Sequence, residues 1–242
     1  MRFTLTLLLS LVLGLPNAGA ATDYAHLEKK AKLFFDNAEW ASANAMYLLM
    51  LEQRPTETST YAKAAVVNIM AGDTLQALEM IPRSMQYDVP LDSLLHDVRT
   101  ISFSIGRGDL YENYLLKIKS DFSWFSRVAD NYLMRYYAFR RNGPELIKYA
   151  ETMLKGLPDN VVFLDMLATG KMLSGETEQA VEIWERTVAL YPDDDTAVLN
   201  LANCYDSLRN APMALKWLTE AYRLKPTPYL ASRIDYYRKM MQ

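Results

Sequence analysis

The chain has 242 residues, a formal net charge of −3 at pH 7 and 50% hydrophobic residues. The negative balance argues against nucleic acid as a partner, because phosphate binding needs a basic stripe that this chain lacks. The only cysteine, Cys204, cannot form an internal disulfide, and its place in a predicted helix favours a small buried packing residue over a nucleophile.

The first twenty residues have the pattern of an export signal. Arg2 precedes an apolar stretch over residues 3–15, and residues 18–20, Ala-Gly-Ala, provide a small-x-small cleavage site. A retained membrane anchor is the less favoured alternative, since the apolar run is shorter than the roughly 20 residues that span a bilayer. We therefore expect residues 1–20 to be a signal peptide, and residues 21–242 to be periplasmic or secreted, with no integral membrane segment.

A repeated pattern of small and large apolar residues runs through the rest of the chain. Pro158, Pro192 and Pro226 are evenly spaced, and the windows that end at them and at Pro55 share internal offsets. Small side chains let two helix axes approach closely, and large ones fill the gaps between them. The small residues are Ala31, Ala43, Ala65, Ala77, Ala168, Ala180, Ala202 and Ala214, and the large ones are Phe34, Tyr47, Trp184 and Leu218. A fixed period of about 34 residues predicts a stack of helical pairs.

Glycines and prolines mark the ends of the predicted helices. Gly72 and Gly175 lie where a left-handed cap ends a first helix, and the prolines break the chain between units. The third window, residues 91–121, departs from the pattern, with Asn113 in place of the small packing residue. Because Pro55 and Pro158 are one residue more than three periods apart, we expect a one-residue insertion near the turn at residues 106–109.

These residues resemble the tetratricopeptide repeat (TPR), a helix-turn-helix unit with small packing residues, a turn glycine and a closing proline. The resemblance covers nearly the whole mature chain. It implies an all-α fold, a right-handed α-solenoid of helix-turn-helix (TPR-like) repeats with a C-terminal capping helix. We expect about six repeats in a single domain over residues 21–242. In the capping helix, residues 227–242, the apolar face is formed by Tyr229, Leu230, Ile234 and Tyr237.

No motif for catalysis or metal binding is present. His26 and His96 stand in different repeats, neither belongs to an HExxH motif, and no glycine-rich phosphate loop follows a strand. The acidic run at residues 193–195 lacks the alternating acids and the glycine of a calcium loop, so we interpret it as a helix cap. We expect no enzymatic activity, no cofactor and no metal.

The resemblance also implies that the first helix of each pair lines a concave groove. Most of the side chains at the groove positions are polar, and asparagine and arginine there suit the backbone or a carboxylate of an extended peptide. The alternative interpretation is the solvated face of an amphipathic helix. The candidate groove residues are His96, Thr100, Asn131, Arg135, Asp165, Thr169, Asn203, Asp206, Arg233 and Tyr237.

We therefore expect a protein- or peptide-binding adaptor or assembly scaffold of the cell envelope. The alternatives are a structural subunit of a permanent envelope complex and a glycan-binding accessory module. A dense aromatic cluster offers a second surface, because it is either core or an exposed partner site. It contains Phe122, Trp124, Phe125, Tyr132, Tyr136, Tyr137 and Phe139.

Overall fold

A computed structural model describes residues 23–242, and the predicted signal peptide lies outside this range. In the described part the chain forms thirteen α-helices and one short 3-10 helix, without a strand. The α-helices are α1 Tyr24–Asp36, α2 Trp40–Gln53, α3 Thr58–Ala71, α4 Thr74–Met85, α5 Leu91–Ser104, α6 Gly108–Asp121, α7 Ser126–Phe139, α8 Gly143–Leu154, α9 Val161–Leu173, α10 Thr177–Leu190, α11 Asp195–Ser207, α12 Ala211–Leu224 and α13 Pro228–Met240. Six helix pairs are thus followed by one terminal helix, which confirms the all-α repeat fold expected from the proline spacing.

None of the helices from α1 to α13 has the length and apolar character needed to cross a membrane.

The ends of the helices follow the signals predicted from the sequence. Pro55, Pro158, Pro192 and Pro226 all lie in connections between helix pairs, where the missing N–H cannot interrupt a helix. Side-chain oxygens cap several N-termini, and the Asp194 carboxylate accepts hydrogen bonds from the N–H groups of Thr196 and Ala197 at 3.0 Å. The capping interpretation of the acidic run is confirmed.

The turn inside each helix pair contains one residue with a left-handed backbone. Glycine adopts this conformation without a clash at Cβ, and the predicted cap glycines Gly72 and Gly175 are two of these residues. These six positions recur at the repeat period, except that the interval between the third and the fourth is longer by a single residue. A seventh left-handed residue, Asp88, lies outside these turns, between α4 and α5. The six turn residues, with φ between 55° and 80°, are Ala38, Gly72, Gly106, Arg141, Gly175 and Arg209.

The extra residue of the middle region lies between the starts of α7 and α8. Helix α6 begins one repeat period after α4 and α7 begins two periods after α3, whereas α8 begins a period and one further residue after α6, so the turn at residues 106–109 has the ordinary length. The 3-10 helix Ser123–Phe125 does not take up the additional residue, because the connection from α6 to α7 is as long as those from α2 to α3 and from α10 to α11. Our placement of the insertion at the turn was therefore wrong, because the second glycine, Gly108, begins a helix instead of lengthening the turn.

The same register corrects the assignment of Asn113. Ala77 follows Ala43 by one repeat period, and one further period leads to Tyr111, which is buried in α6. Asn113 instead lies on the exposed face of that helix. A tyrosine thus occupies the position that holds alanine in four other second helices. The third helix pair departs from the repeat by a large side chain and not by a polar one.

All eight predicted packing alanines are fully buried, so the spacing identified the helix contacts correctly. Of the four predicted gap-filling residues, Tyr47, Trp184 and Leu218 are buried. Phe34 is only half-buried, and the prediction that it fills the core was wrong. Its helix, α1, packs mainly against α2, so fewer elements surround it than surround an interior helix.

Helix α13 covers the last helix pair, as expected of a capping helix. Leu230, Ile234 and Tyr237 join a buried cluster with side chains of α11 and α12. Tyr229 does not belong to this face, because 64% of its surface is exposed. The predicted capping role is confirmed, and the apolar face is one residue smaller than expected.

Two glycines allow an unusually close crossing of α8 and α9. A Cβ atom on Gly170 would lie 2.8 Å from the Ile147 side chain and 3.1 Å from its backbone nitrogen. A Cβ atom on Gly143 would lie 2.8 Å from the carbonyl oxygen of Gly170. Real Cβ atoms do not approach this closely, so both positions require glycine for the observed packing.

The contacts divide the chain into two compact units with a boundary between Gly106 and Arg107. Unit 1 contains α1 to α5, and in it α3 packs against α2, α4 and α5. Unit 2 contains α6 to α13, and each of its helices packs against the next one in the chain. The single domain over residues 21–242 stays a prediction.

Candidate binding surfaces

The ten predicted groove residues fall on the first helices of four pairs and on α13. Two of them belong to unit 1 and eight to unit 2. The structure places His96 and Thr100 on α5, Asn131 and Arg135 on α7, Asp165 and Thr169 on α9, Asn203 and Asp206 on α11, and Arg233 and Tyr237 on α13.

Four of the predicted groove residues form one hydrogen-bonded network between α11 and α13. Arg233 donates from Nη1 to Asn203 Oδ1 at 2.6 Å and from Nη2 to Asp206 Oδ2 at 2.8 Å. The Tyr237 hydroxyl donates to Asp206 Oδ1. Burial raises the pKa of Tyr237, and the neighbouring Asp206 carboxylate raises it further. These side chains already satisfy one another, so their main effect is to fix α13 against α11.

A second network surrounds Asp165 on α9. Its Oδ1 atom accepts a hydrogen bond from Trp184 Nε1 at 3.0 Å and another from Asn200 Nδ2 at 3.0 Å. Burial raises the pKa of Asp165, and the two hydrogen bonds oppose this rise because they stabilise the carboxylate. Asn200 is not among the predicted groove residues, because it lies one residue after the α11 position that corresponds to Asp165 in the repeat.

The two predicted residues on α7 keep unused hydrogen-bonding capacity. Asn131 Oδ1 is enclosed by protein atoms and has no donor among the described residues. Arg135, one turn further along α7, is exposed and forms no ion pair in residues 23–242. Most enclosed polar atoms in proteins have a partner. In the described chain three enclosed side-chain atoms lack one, and Asn131 Oδ1 is the only one of them on a predicted groove residue; the others are Ser102 Oγ and Trp217 Nε1. Thr169 on α9 is half-buried.

A cavity of about 420 Å³ opens beside these networks, between α11, α12 and the start of α13. Leu199, Tyr229 and Leu230 supply its apolar lining, and the Asn200 side chain contributes a polar group. At its edge Lys225 Nζ lies 2.9 Å from Asp195 Oδ2. We call the predicted groove residues on α7, α9, α11 and α13 the polar strip of unit 2. The cavity beside it is a pocket that suits an apolar side chain.

The two predicted residues of unit 1 lie one turn apart on the same helix. His96 and Thr100 are both exposed on α5, and the Thr100 hydroxyl donates to the backbone carbonyl oxygen of His96 at 2.9 Å. A cleft of about 600 Å³ lies elsewhere in unit 1, with side chains of α1, α2, α3 and α5 in its walls. Lys29 and Lys63 in this cleft lie one repeat period apart in the sequence, which is the signal that sequence reasoning missed.

The aromatic cluster consists of a core part and an exposed part. Tyr136 and Tyr137 are buried, and their hydroxyls donate to Glu112 at 3.1 and 2.5 Å. Burial and the Glu112 carboxylate raise the pKa of Tyr136 to about 12. Trp124 is 66% exposed and stacks on Phe125 with 4.1 Å between ring centroids. Exposed aromatic surface is thus present at the connection before α7.

The other chemically reactive groups have structural surroundings. Cys204 is buried, and its Sγ atom lies 3.1 Å from the sulfur of Met172. Burial raises the pKa of the thiol to about 12, so the protonated form dominates at neutral pH, in agreement with a packing role. Within residues 23–242, no three side chains of histidine, cysteine, aspartate or glutamate converge as metal ligands would.

No protein-family model matches the chain, and no curated protein matches its sequence. Solved structures match over most of its length. The C-terminal part of a TPR repeat-containing protein from Cytophaga hutchinsonii is 13% identical with a TM-score of 0.53, and 88% of each chain is covered. This chain has a TPR-like fold.

Two further solved structures show the same TPR-like architecture. PilW, described as a type IV pilus biogenesis factor, is 14% identical with a TM-score of 0.53, over 87% of this chain and 98% of its own. A chain of the APC/C hetero-tetramer Cut9-Hcn1 is 12% identical with a TM-score of 0.50, over 88% of this chain and 42% of its own. At these identities the likeness concerns the fold alone.

Proposed function

We propose that this TPR-like chain is a protein- or peptide-binding adaptor or assembly scaffold of the cell envelope. In this proposal an extended segment of the partner lies along the first helices of unit 2. The observation that carries it is the pair Asn131 and Arg135 on α7, because Asn131 Oδ1 has no hydrogen-bond partner and Arg135 forms no ion pair within the described chain.

The chemistry of this pair fits an extended polypeptide. An extended segment presents N–H and C=O groups that have no partners of their own. The Asn131 amide both donates and accepts, so a rotation about χ2 would let it pair with the backbone of such a segment. Arg135 offers a fork of donors to a carboxylate side chain. The half-buried Thr169 on α9 supplies a further hydroxyl along the same face.

The two ends of the polar strip have different roles in this proposal. The α11–α13 end is closed by the Arg233 network, so it positions the helices that flank the cavity beside Leu199. The α7–α9 end remains open to a ligand. An apolar side chain of the partner would occupy the cavity, while its backbone would meet the strip at Asn131 and Thr169.

The envelope location rests on the sequence. Residues 1–20 have the pattern of a secretory signal. An assembly role at the envelope fits this observation.

A double substitution on α7 tests the peptide-binding proposal. The tagged protein is used to capture partners from an envelope extract, and the captured proteins are identified by mass spectrometry. We expect Asn131→Ala with Arg135→Ala to abolish partner retention while the thermal midpoint stays almost unchanged. Arg140→Ala removes the same charge from an exposed site just after α7 and serves as the control. Undiminished retention by the double variant would contradict the proposed site.

The exposed Trp124 supports a second candidate function, a structural subunit of a permanent envelope complex. Tryptophan and phenylalanine are enriched in protein interfaces, and Trp124 and Phe125 present a stacked pair to solvent. In this case the same capture experiment would recover a stoichiometric partner, and Trp124→Ala would release it. Loss of the partner from the α7 double variant alone would favour the adaptor.

A further inference from the structure

The cleft of unit 1 differs in charge from the unit that contains it. Residues 23–106 contain seven lysines and arginines against eleven aspartates and glutamates, so the unit is acidic. Three of its seven basic side chains, Lys29, Lys32 and Lys63, nevertheless line the one cleft. The lining also contains two acids, Glu28 and Asp36, so the cleft has a small positive excess within an acidic unit.

Two of these lysines are free to interact with a ligand. Lys32 is already paired, with its Nζ atom 2.6 Å from Asp36 Oδ2. Lys29 and Lys63 form no ion pair in the described part of the chain. They occupy the same repeat position on α1 and α3, so the two ammonium groups come from successive first helices, and both line the cleft.

The rest of the lining is largely apolar. Phe35, Ile101 and Ile105 are half-buried and leave part of their surface facing the cleft. The Phe35 ring is held in place by Trp40, with an edge contact at 5.5 Å between centroids. Tyr47 contributes a hydroxyl whose pKa is raised to about 12 by burial and by the acids Asp36 and Glu28 in the same lining, so it is neutral at physiological pH.

We infer that this cleft binds a polypeptide segment that carries both acidic and large apolar side chains. The apolar wall removes leucine or phenylalanine side chains from water, and its volume of about 600 Å³ lies in the range of ligand pockets. Lys29 and Lys63 attract the carboxylates of the segment and repel a basic one. The inference rests on the proposed function for the class of ligand and adds the chemistry that selects it.

A random peptide display library provides the probe for this cleft. Peptides are selected on the purified protein, and the most enriched one is labelled and titrated by fluorescence anisotropy. We expect enrichment of aspartate or glutamate together with leucine or phenylalanine. The variant Lys29→Ala with Lys63→Ala is expected to bind the peptide about ten-fold more weakly, in line with two exposed ion pairs. Lys30→Ala, an exposed neighbour outside the lining, leaves the affinity unchanged.

Salt and the α7 variant separate the possible results. Binding through lysine weakens as the ionic strength rises. Enriched peptides without an excess of acid, or an unchanged affinity of the double lysine variant, would overturn the inference. If the peptide instead depends on Asn131 and Arg135, the cleft inference fails and the proposed function stands. If the library yields no binder and no envelope partner depends on either site, both fail.

Discussion

At the scale of single residues, Asp165 shows how burial and hydrogen bonding compete. Burial raises its pKa, and the hydrogen bonds from Trp184 and Asn200 oppose the rise without cancelling it. A carboxyl group with a raised pKa in the folded state holds its proton to higher pH than the same group does in the unfolded chain. The folded state is thus favoured at low pH, and this contribution is lost as pH rises through the folded pKa.

Because the pKa of Asp165 is raised, we can predict how the effect of a substitution there depends on pH. Replacing Asp165 by Asn keeps an oxygen acceptor for Trp184 and Asn200 but removes the titration. We compare the thermal midpoints of Asp165→Asn and of the unmodified chain at each pH. The midpoint of the variant minus that of the unmodified chain should increase from about pH 4 to neutral pH, because only the unmodified chain loses this contribution. Asp235→Asn, at a side chain with 68% exposure, is the control that should show no such trend. If the difference in thermal midpoint stayed constant across pH, burial would not be the dominant influence on the pKa of Asp165.

The sequence predicted single residues well where their role is local to one helix crossing. The spacing of Ala180 and Ala214 identified buried contacts because a small side chain is required wherever two helices meet closely. Asn200 was missed for a different reason. Which polar side chains meet across helices depends on the rotation of each helix about its axis, and the repeat period does not specify that rotation.

At the scale of elements, the crossing of α8 and α9 depends on the absence of two Cβ atoms. Gly143 and Gly170 bring backbone against backbone, and the carbonyl oxygen of Gly170 lies only 2.8 Å from the place that the Cβ of an alanine at 143 would take. A methyl group there cannot be accommodated by a side-chain rotation, because backbone atoms occupy the space. The pair therefore fixes the distance between the fourth and fifth helix pairs.

We expect Gly170→Ala to destabilise the protein. The methyl group meets Ile147, and overpacking of this kind lowers the free energy of unfolding by about 1–3 kcal/mol. The better helix propensity of alanine offsets roughly 1 kcal/mol of this loss. A net loss of about 1 kcal/mol should appear as a lower thermal midpoint. Gly156→Ala is the matched control, since its methyl group meets only the flexible end of Arg127. Equal midpoints for the two variants would contradict the importance of this crossing.

The order of the helices was predictable from the sequence, but the position of the inserted residue was not. The proline spacing showed that one residue is extra between Pro55 and Pro158, and every connection in that interval could have contained it. The left-handed Gly106 stays in register, and the extra residue lies between the starts of α7 and α8. No glycine or proline among residues 126–142 marks its position in the sequence.

At the scale of the whole molecule, the proposed export requires removal of the first residues. The small residues Ala18 and Ala20 flank the expected cleavage site, so the protein recovered from an envelope fraction should begin at Ala21 or within about two residues of it. N-terminal sequencing measures this directly. An intact Met1 on envelope material would contradict the proposed signal peptide.

The six left-handed turn residues have a consequence for the order in which this chain folds. Gly72, Gly106 and Gly175 adopt that backbone at little cost, whereas Ala38 and Arg141 each lose about 1–2 kcal/mol in it. Turns with glycine therefore need little support from their flanking helices. Turns without it persist only once those helices have docked, so we expect the second and fifth pairs, α3–α4 and α9–α10, to form before the first and fourth. Pulsed hydrogen exchange during refolding would show this as earlier protection of the amides in α3 and α9, and simultaneous protection in all pairs would exclude turn-directed folding.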